Sequence, residues 1–286
     1  MINTLFLLTI ISGVTVQNVV KKAYNERVSS GAYCFSAGSI LFALLIFLIP
    51  AIGNFEFNKN TVIYSVAFAI CYSLATVCNF LAIAAGPLSI TSLAVSYSLI
   101  IPTFYGLLVL GEESGPTLYI GIILLLVSLL LINLEKKGEE KKITLKWAIF
   151  TLLAFVGNGG CSTIQKIQIE NQNGKYNNEF MIIGLLISFL VIMLTSVLSE
   201  KKAVLSNIKK GFLLYLICGI ANGIVNLLVI VLSSGRMAAS VMFPLISAGG
   251  IIATFLISFF VYKEKLSISQ LIGLALGTLS IVFLNI

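Results

Sequence analysis

Apolar residues run along this chain in ten stretches. Each is near the length a helix needs to cross a hydrocarbon core, about 20 residues at 1.5 Å per residue. The stretches cover 2–20, 30–52, 61–85, 88–110, 116–134, 147–165, 177–198, 211–233, 238–260 and 267–286. The breaks have chemical causes. Gly86-Pro87 and Gly115-Pro116 read as tight turns, and Glu135 to Lys146 (EKKGEEKKITLK) is a charged linker near the middle. The pattern predicts an all-α polytopic membrane protein with ten transmembrane helices. Residues 1–134 hold five, 135–146 link, and 147–286 hold the other five. No positively charged region precedes the first stretch and no A-x-A-like site stands out, so it reads as an uncleaved span. Tyr24, Tyr64, Trp147, Tyr176 and Tyr262 fall at stretch ends, the usual place of aromatics at a membrane interface.

The halves repeat each other. At an offset of 152, Val109, Glu112, Ile120, Gly121, Leu124, Ser128 and Asn133 recur as Val261, Glu264, Ile272, Gly273, Leu276, Ser280 and Asn285. At an offset of 147, Ile70-Cys71, Asn79, Leu81 and Ile83 recur as Ile217-Cys218, Asn226, Leu228 and Ile230, and at 145 Lys21 recurs as Lys166. Matches at Glu, Asn, Lys and Cys carry the weight, because those residues are scarce here. Each copy has five stretches, and an odd number forces the second copy to insert upside down. Inverted repeats are a transporter architecture, with the substrate site between the copies near the midplane.

Composition strengthens the membrane reading. The chain has 286 residues, 58% hydrophobic and 10% charged, against about 25% charged in soluble domains. The net charge of +7 does not indicate nucleic acid, because Lys and Arg lie at stretch ends and not in a stripe with aromatics. They read as orientation signals and headgroup contacts, which makes membrane lipids partners. Of the 18 Lys and Arg, 14 lie in the segments after stretches 1, 3, 5, 7 and 9. The positive-inside rule puts those segments in the cytoplasm and both termini outside, for a multi-pass protein of the cell membrane. There is no His and no Asp, and all 11 acids are Glu. That excludes His- or Asp-based metal centres, a Ser-His-Asp triad and an aspartic dyad, and argues against an enzyme. No cofactor is expected. The five Cys lie inside apolar stretches without a CxxC and read as small membrane-helix residues.

Several features now combine. The first helix contains Gly13 and ends in Lys21. The fourth and ninth stretches end in Leu-Gly-Glu and Tyr-Lys-Glu (Glu112, Glu264), each followed by a helix bearing Gly121 or Gly273. The chain resembles the drug/metabolite transporter superfamily, specifically its EamA-type ten-helix group, over essentially its whole length. The resemblance implies a transporter of small metabolites, amino acids or drugs through a central cavity. One departure is informative. Small multidrug resistance proteins, distant four-helix relatives, carry a membrane-embedded Glu about two turns before the Lys ending helix 1. Gly13 and Asn158 occupy those positions here, so the carboxylate that binds cations and protons is missing.

Polar residues deep in a span are costly and face a cavity or another helix. Tyr72, Thr76 and Asn79 share one face of the third stretch, and Asn222 and Asn226 lie one turn apart in the eighth. Ser89, Ser92 and Ser96 line a face of the fourth beside Tyr97, and the sixth offers Asn158, Ser162 and Gln165. Candidate substrate-binding residues are therefore Tyr72, Asn79, Tyr97, Asn158, Asn222 and Asn226, with interhelical hydrogen bonding as the competing role. Lys21 and Lys166 suit attraction of a carboxylate or phosphate, but their places near helix ends favour snorkelling to headgroups. Glu112 and Glu264 read as helix terminators in loops, with a gating ion pair as the alternative. Pro244, Gly249 and Gly250 are set to kink the ninth stretch. The expected function is secondary transport of a small metabolite, an amino acid or similar polar or amphipathic solute, by a monomer or homodimer. A lipid-carrier flippase and a polytopic scaffold are the alternatives. With no carboxylate inside a span, facilitated diffusion or exchange is expected over proton antiport through a protein acid.

Overall fold

The computed structural model describes residues 2–28, 31–85, 91, 95, 97–112, 115–133, 144–200, 204–262 and 268–284. Ten helices occur among them: α1 (Ile2–Val28), α2 (Ala32–Ala51), α3 (Lys59–Ala85), α4 (Ile100–Leu108), α5 (Pro116–Asn133), α6 (Leu145–Asn171), α7 (Asn177–Glu200), α8 (Val204–Ser233), α9 (Ala239–Tyr262) and α10 (Ile268–Leu284). No strand occurs among the described residues. Gly86-Pro87, Ser89, Ser92, Ser96, most of the charged linker, Glu264 and Asn285 lie outside them.

Among the described residues, six helices are long and apolar enough to cross a membrane: α1, α2, α3, α6, α7 and α8. Their outer faces are apolar as well. Ile63, Ile70, Leu152, Leu190, Leu194 and Leu213 are each more than half exposed. Water would penalise such continuous apolar surface, whereas lipid accepts it. This is a helical membrane protein.

Local chemistry sets the helix ends. Asn58 caps α3, its side-chain oxygen accepting the N–H of Asn60 at 2.9 Å and of Thr61 at 3.1 Å. The Thr144 hydroxyl accepts the N–H of Trp147 at 3.2 Å and starts α6. Beyond the other end of α6, Gly174 takes a φ of +72° and its N–H reaches Ile169 O at 2.8 Å, a left-handed turn that favours glycine.

The packing has a regular order. α3 lies along α6, and α1 lies along α8. α2 packs on α7 and α8, while α7 also packs on α3. α4 meets α9, α5 meets α10, α1 touches α9 and α6 touches α4. Adding five to each helix number, and counting past ten from one, turns each of these pairs into another of them, whereas the contacts of α9 with α10 and of α6 with α8 have no comparable counterpart among the described residues. The exchange reaches single atoms between α5 and α10. Ser128 Oγ donates to Gly273 O at 2.5 Å, and Ser280 Oγ donates to Gly121 O at 2.8 Å.

Glycine allows the closest approach. A Cβ on Gly157 of α6 would meet Ala75 N and Cys71 O of α3 at 2.7 Å each. One core gathers Phe47, Phe68, Phe180, Met181 and Leu185 from α2, α3 and α7. A second joins Ile10, Leu232, Met242 and Phe243 from α1, α8 and α9.

Two aromatics depart from their expected interfacial role. α1 continues past its apolar stretch, so Tyr24 lies within the helix and not at its end. Tyr24 is fully buried, its ring 4.6 Å from that of Phe35, and its hydroxyl donates to Gly31 O at 3.2 Å. Burial pushes its phenol pKa up to about 12, so it stays neutral. Trp147 is buried too, with Nε1 donating to Thr91 Oγ1 at 2.8 Å. Protein, not headgroups, takes up both polar tips.

Candidate functional site

α3 and α8 exchange with each other in the packing order, and they share no extended interface. A chain of polar side chains bridges them. Asn226 Nδ2 donates to Asn222 Oδ1 at 2.5 Å and to Asn222 O at 3.0 Å, and Asn222 Nδ2 donates to the Tyr72 hydroxyl at 2.6 Å. The Tyr72 ring stacks on Phe68, with centroids 5.3 Å apart. Asn222 and Asn226 reach each other because residues four apart share a helix face. All three side chains are half-buried near the middle of long helices.

Asn79 stands two turns beyond Tyr72 on α3, about 10 Å along the axis. Its Oδ1 is buried and has no hydrogen-bond partner among the described residues. A buried amide oxygen left this way carries an unmet demand for a donor. Tyr72, Asn222 and Asn226 are brought together, with Asn79 on the same helix as Tyr72; the sequence pattern had placed each set only on a face of its own helix. None of these side chains is charged. Such a cluster can offer hydrogen bonds and does not favour an isolated ion.

The other candidates are engaged elsewhere. Asn158 Nδ2 donates to Ser98 Oγ at 2.6 Å, tying α6 to the turn before α4. The Tyr97 hydroxyl donates to Leu126 O at 3.0 Å. Tyr97 lines a small apolar cavity with Thr103, Leu126, Pro244 and Ser247, between α4, α5 and α9. Its volume of about 20 Å³ is room for about one water-sized molecule.

Lys166 corrects the snorkelling expectation. It is 4% exposed, its Nζ donates to Ser233 O at 3.1 Å, and it pairs with Glu170 at 2.7 Å. The carbonyl end of α8 and an acid one turn away supply what a headgroup would have supplied. Lys21 remains partly exposed and has no hydrogen bond or ion pair among the described residues.

Glu112 is a further correction. It follows α4 but does more than terminate it: Oε1 accepts the N–H of Ala239 at 2.9 Å and Oε2 that of Ser240 at 2.8 Å, at the start of α9. Sequence reasoning missed two more contacts at this end of the bundle. One is Glu170, whose spacing from Lys166 was a readable signal. The other is Asn171 Nδ2 donating to the Tyr64 hydroxyl at 2.9 Å, which had no local signature. Among the described residues no three His, Cys, Asp or Glu side chains converge as metal ligands.

No family model matches the chain, and no curated protein matches it. Twenty-eight chains of known structure do match. One protein crystal structure aligns with 98% of this chain and 95% of its own, at a TM-score of 0.77 and 12% identity. At that identity the likeness is one of fold alone.

Proposed function

We propose that this chain is a secondary transporter of the EamA-type drug/metabolite group. In this reading ten spans form two inverted five-helix repeats in the cell membrane, and a small polar or amphipathic metabolite crosses by alternating access. The observation that carries the reading is the chain of Asn226, Asn222 and Tyr72, which joins two repeat-related helices mid-span. The five-step exchange of packing partners and the reciprocal bonds of Ser128 and Ser280 support the repeat. The neutral character of the polar cluster favours facilitated diffusion or exchange of a solute without excess charge.

The test begins with thermal-shift screening of the purified protein against a metabolite library. Counterflow in proteoliposomes follows for each solute that stabilises it. Asn226→Leu and Asn79→Leu should weaken uptake about tenfold to a hundredfold, the equivalent of one lost buried hydrogen bond. Unchanged counterflow by both well-folded variants and their double mutant rejects the substrate role and leaves packing. Failure of every stabilising solute to exchange supports the scaffold alternative.

A further inference from the structure

Lys21 and Lys166 match in the repeat, but their surroundings differ. Lys166 is buried, with Ser233 O and Glu170 for partners. Asn25 holds the place four residues beyond Lys21 that Glu170 holds beyond Lys166. α2, α3 and α8 contain no acid, and α1 contains only Glu26, in its last turn. Glu200, at the end of α7, is taken up by the N–H groups of Tyr33 and Cys34, at 3.0 and 3.2 Å. Lys21 stands seven residues inside the end of α1, and Ser39 stands seven inside the start of α2, about 10 Å in each case. Lys21 is partly exposed, so its ammonium can be reached.

Packing puts an unmatched hydroxyl near this ammonium. Val20 shares a buried cluster with Cys218 of α8 and Phe35 of α2, and Lys21 lies within electrostatic reach of Cys218. The next residue of α8, Gly219, packs on α2, where a Cβ would meet Ser39 O and the Phe42 side chain. Ser39 is 5% exposed, and its Oγ has no hydrogen-bond partner among the described residues. Phe80 of α3 packs on the same cluster. Its ring centroid is 6.4 Å from that of Phe35, which lies four residues before Ser39 on the same face of α2. Asn79, the neighbour of Phe80, is thereby held at this level of the bundle, with its own buried amide oxygen unpartnered.

We propose that Lys21 and Ser39 form an anion subsite that takes the carboxylate of the solute, and that Asn79 accepts an N–H of the same molecule. The proposal rests on the transporter reading above and narrows its solute. An ammonium set back from bulk water needs a counter-charge, and a solute carboxylate supplies it where the protein places no acid. Ser39 Oγ is a donor without an acceptor, and it hydrogen-bonds the carboxylate. Asn79 Oδ1 is an acceptor without a donor, and it takes a protonated amine or amide N–H. The solute is a small zwitterion, neutral overall, whose two ends meet separate groups. Lys21 lies toward the mouth where α1 ends, apart from Tyr72, Asn222 and Asn226, so the solute meets charge at this mouth and neutral groups at mid-span. Lipid phosphate is the other oxyanion at hand, and the burial of Ser39 favours the smaller carboxylate.

The experiment is a thermal-shift titration of the full chain in phosphatidylcholine nanodiscs. The probes are the free amino acids, their carboxamides, and the matching carboxylic acids that lack the amine. At least one amino acid should raise the unfolding midpoint, and its carboxamide should need roughly tenfold or more concentration for the same shift, the effect of one charge-assisted hydrogen bond. K21M should abolish that preference. N79L should instead abolish the preference for the amino acid over its amine-free acid. S39A should weaken both acids several-fold without lowering the midpoint of the empty protein, because the hydroxyl it removes has no partner there. It keeps the test decisive if K21M does not fold. An acid preference retained in K21M, or unchanged binding in S39A, overturns the subsite. So does a Lys21-dependent rise in midpoint with phosphatidylglycerol in the nanodisc when no carboxylate probe acts, which assigns Lys21 to headgroups. Binding of no amino acid overturns the subsite and leaves the transporter reading standing if another solute exchanges in counterflow. No exchange by any stabilising solute removes that reading as well.

Discussion

Replacing Glu112 with Ala cuts a tie between helices that exchange in the packing order. Its carboxylate accepts the N–H groups of Ala239 and Ser240 at 2.9 and 2.8 Å. Those groups open α9 and have no acceptor within their own helix. A hydrogen bond to a charged group contributes about 1.5–3 kcal/mol, and an anion at a helix N-terminus about 0.3–1 kcal/mol. Glu112 is half-buried, so water replaces part of what is lost and the lower ends of these ranges apply. The estimate for Glu112→Ala is about 3 kcal/mol, or roughly 5–10 °C in unfolding midpoint for a chain of this size. Glu112→Gln keeps one good acceptor and should cost about half as much. Gly106→Ala should act in the same direction, because the new Cβ would collide with the Glu112 carboxylate. Four of the five cysteines are buried and all are free, so a thiol-reactive dye reports unfolding in detergent directly. A midpoint for Glu112→Ala within about 1 °C of wild type, or a larger loss for Gln than for Ala, would refute the capping account.

Gly157→Ala should cost about 1–3 kcal/mol, because its Cβ meets backbone atoms of α3 that cannot turn aside. The same dye assay reads the loss, and an unchanged midpoint would mean that α3 and α6 do not approach as described. Ser128→Ala and Ser280→Ala should each cost about 1 kcal/mol, and by nearly equal amounts, since each donates to the other helix at an equivalent glycine. A clear difference between their midpoints would sink the equivalence of the two positions.

Much of the helix layout could be read from apolar run lengths, because lipid demands long apolar faces and turns demand Gly or Pro. α2, α3 and α7 begin within about two residues of their stretches for that reason. Spacing matched Ser128 with Ser280, but their reciprocal bonding was not readable. A repeat gives equivalence, while contact depends on which faces the helices turn to each other. Tyr72 with Asn222 and Asn226 was half legible in the same way. Periodicity put each set on one face, and only the tertiary fold set the faces opposite. Tyr97 stands apart from that group, its hydroxyl donating to a backbone carbonyl of α5. Lys166 misled for a different reason. Composition suggests that lysine near a helix end escapes to headgroups, yet here the free carbonyl of Ser233 and the acid of Glu170 compete for the ammonium and win. Glu112 was hidden because its partners are backbone groups 127 and 128 residues away.

The distribution of charge bears on how a transporter of this design would divide its labour. Tyr72, Asn222, Asn226 and Asn79 are neutral, while Lys166, Glu170 and Glu112 stand where helices end. A fixed charge beside the solute would bind it in both states and favour neither, and a ligand of equal affinity for two states shifts nothing. A charge at a helix end is different. It has a partner in one state only if the facing helix comes within reach, so its energy enters the difference between states directly. Lys166 has such a partner in Ser233. On the transporter reading, Asn79 adds the link to substrate. Its buried oxygen has no hydrogen-bond partner among the described residues, so a donor group on the solute would offset a desolvation cost that otherwise stands. Binding at Asn79 draws on a neutral group and needs no proton to move on the protein.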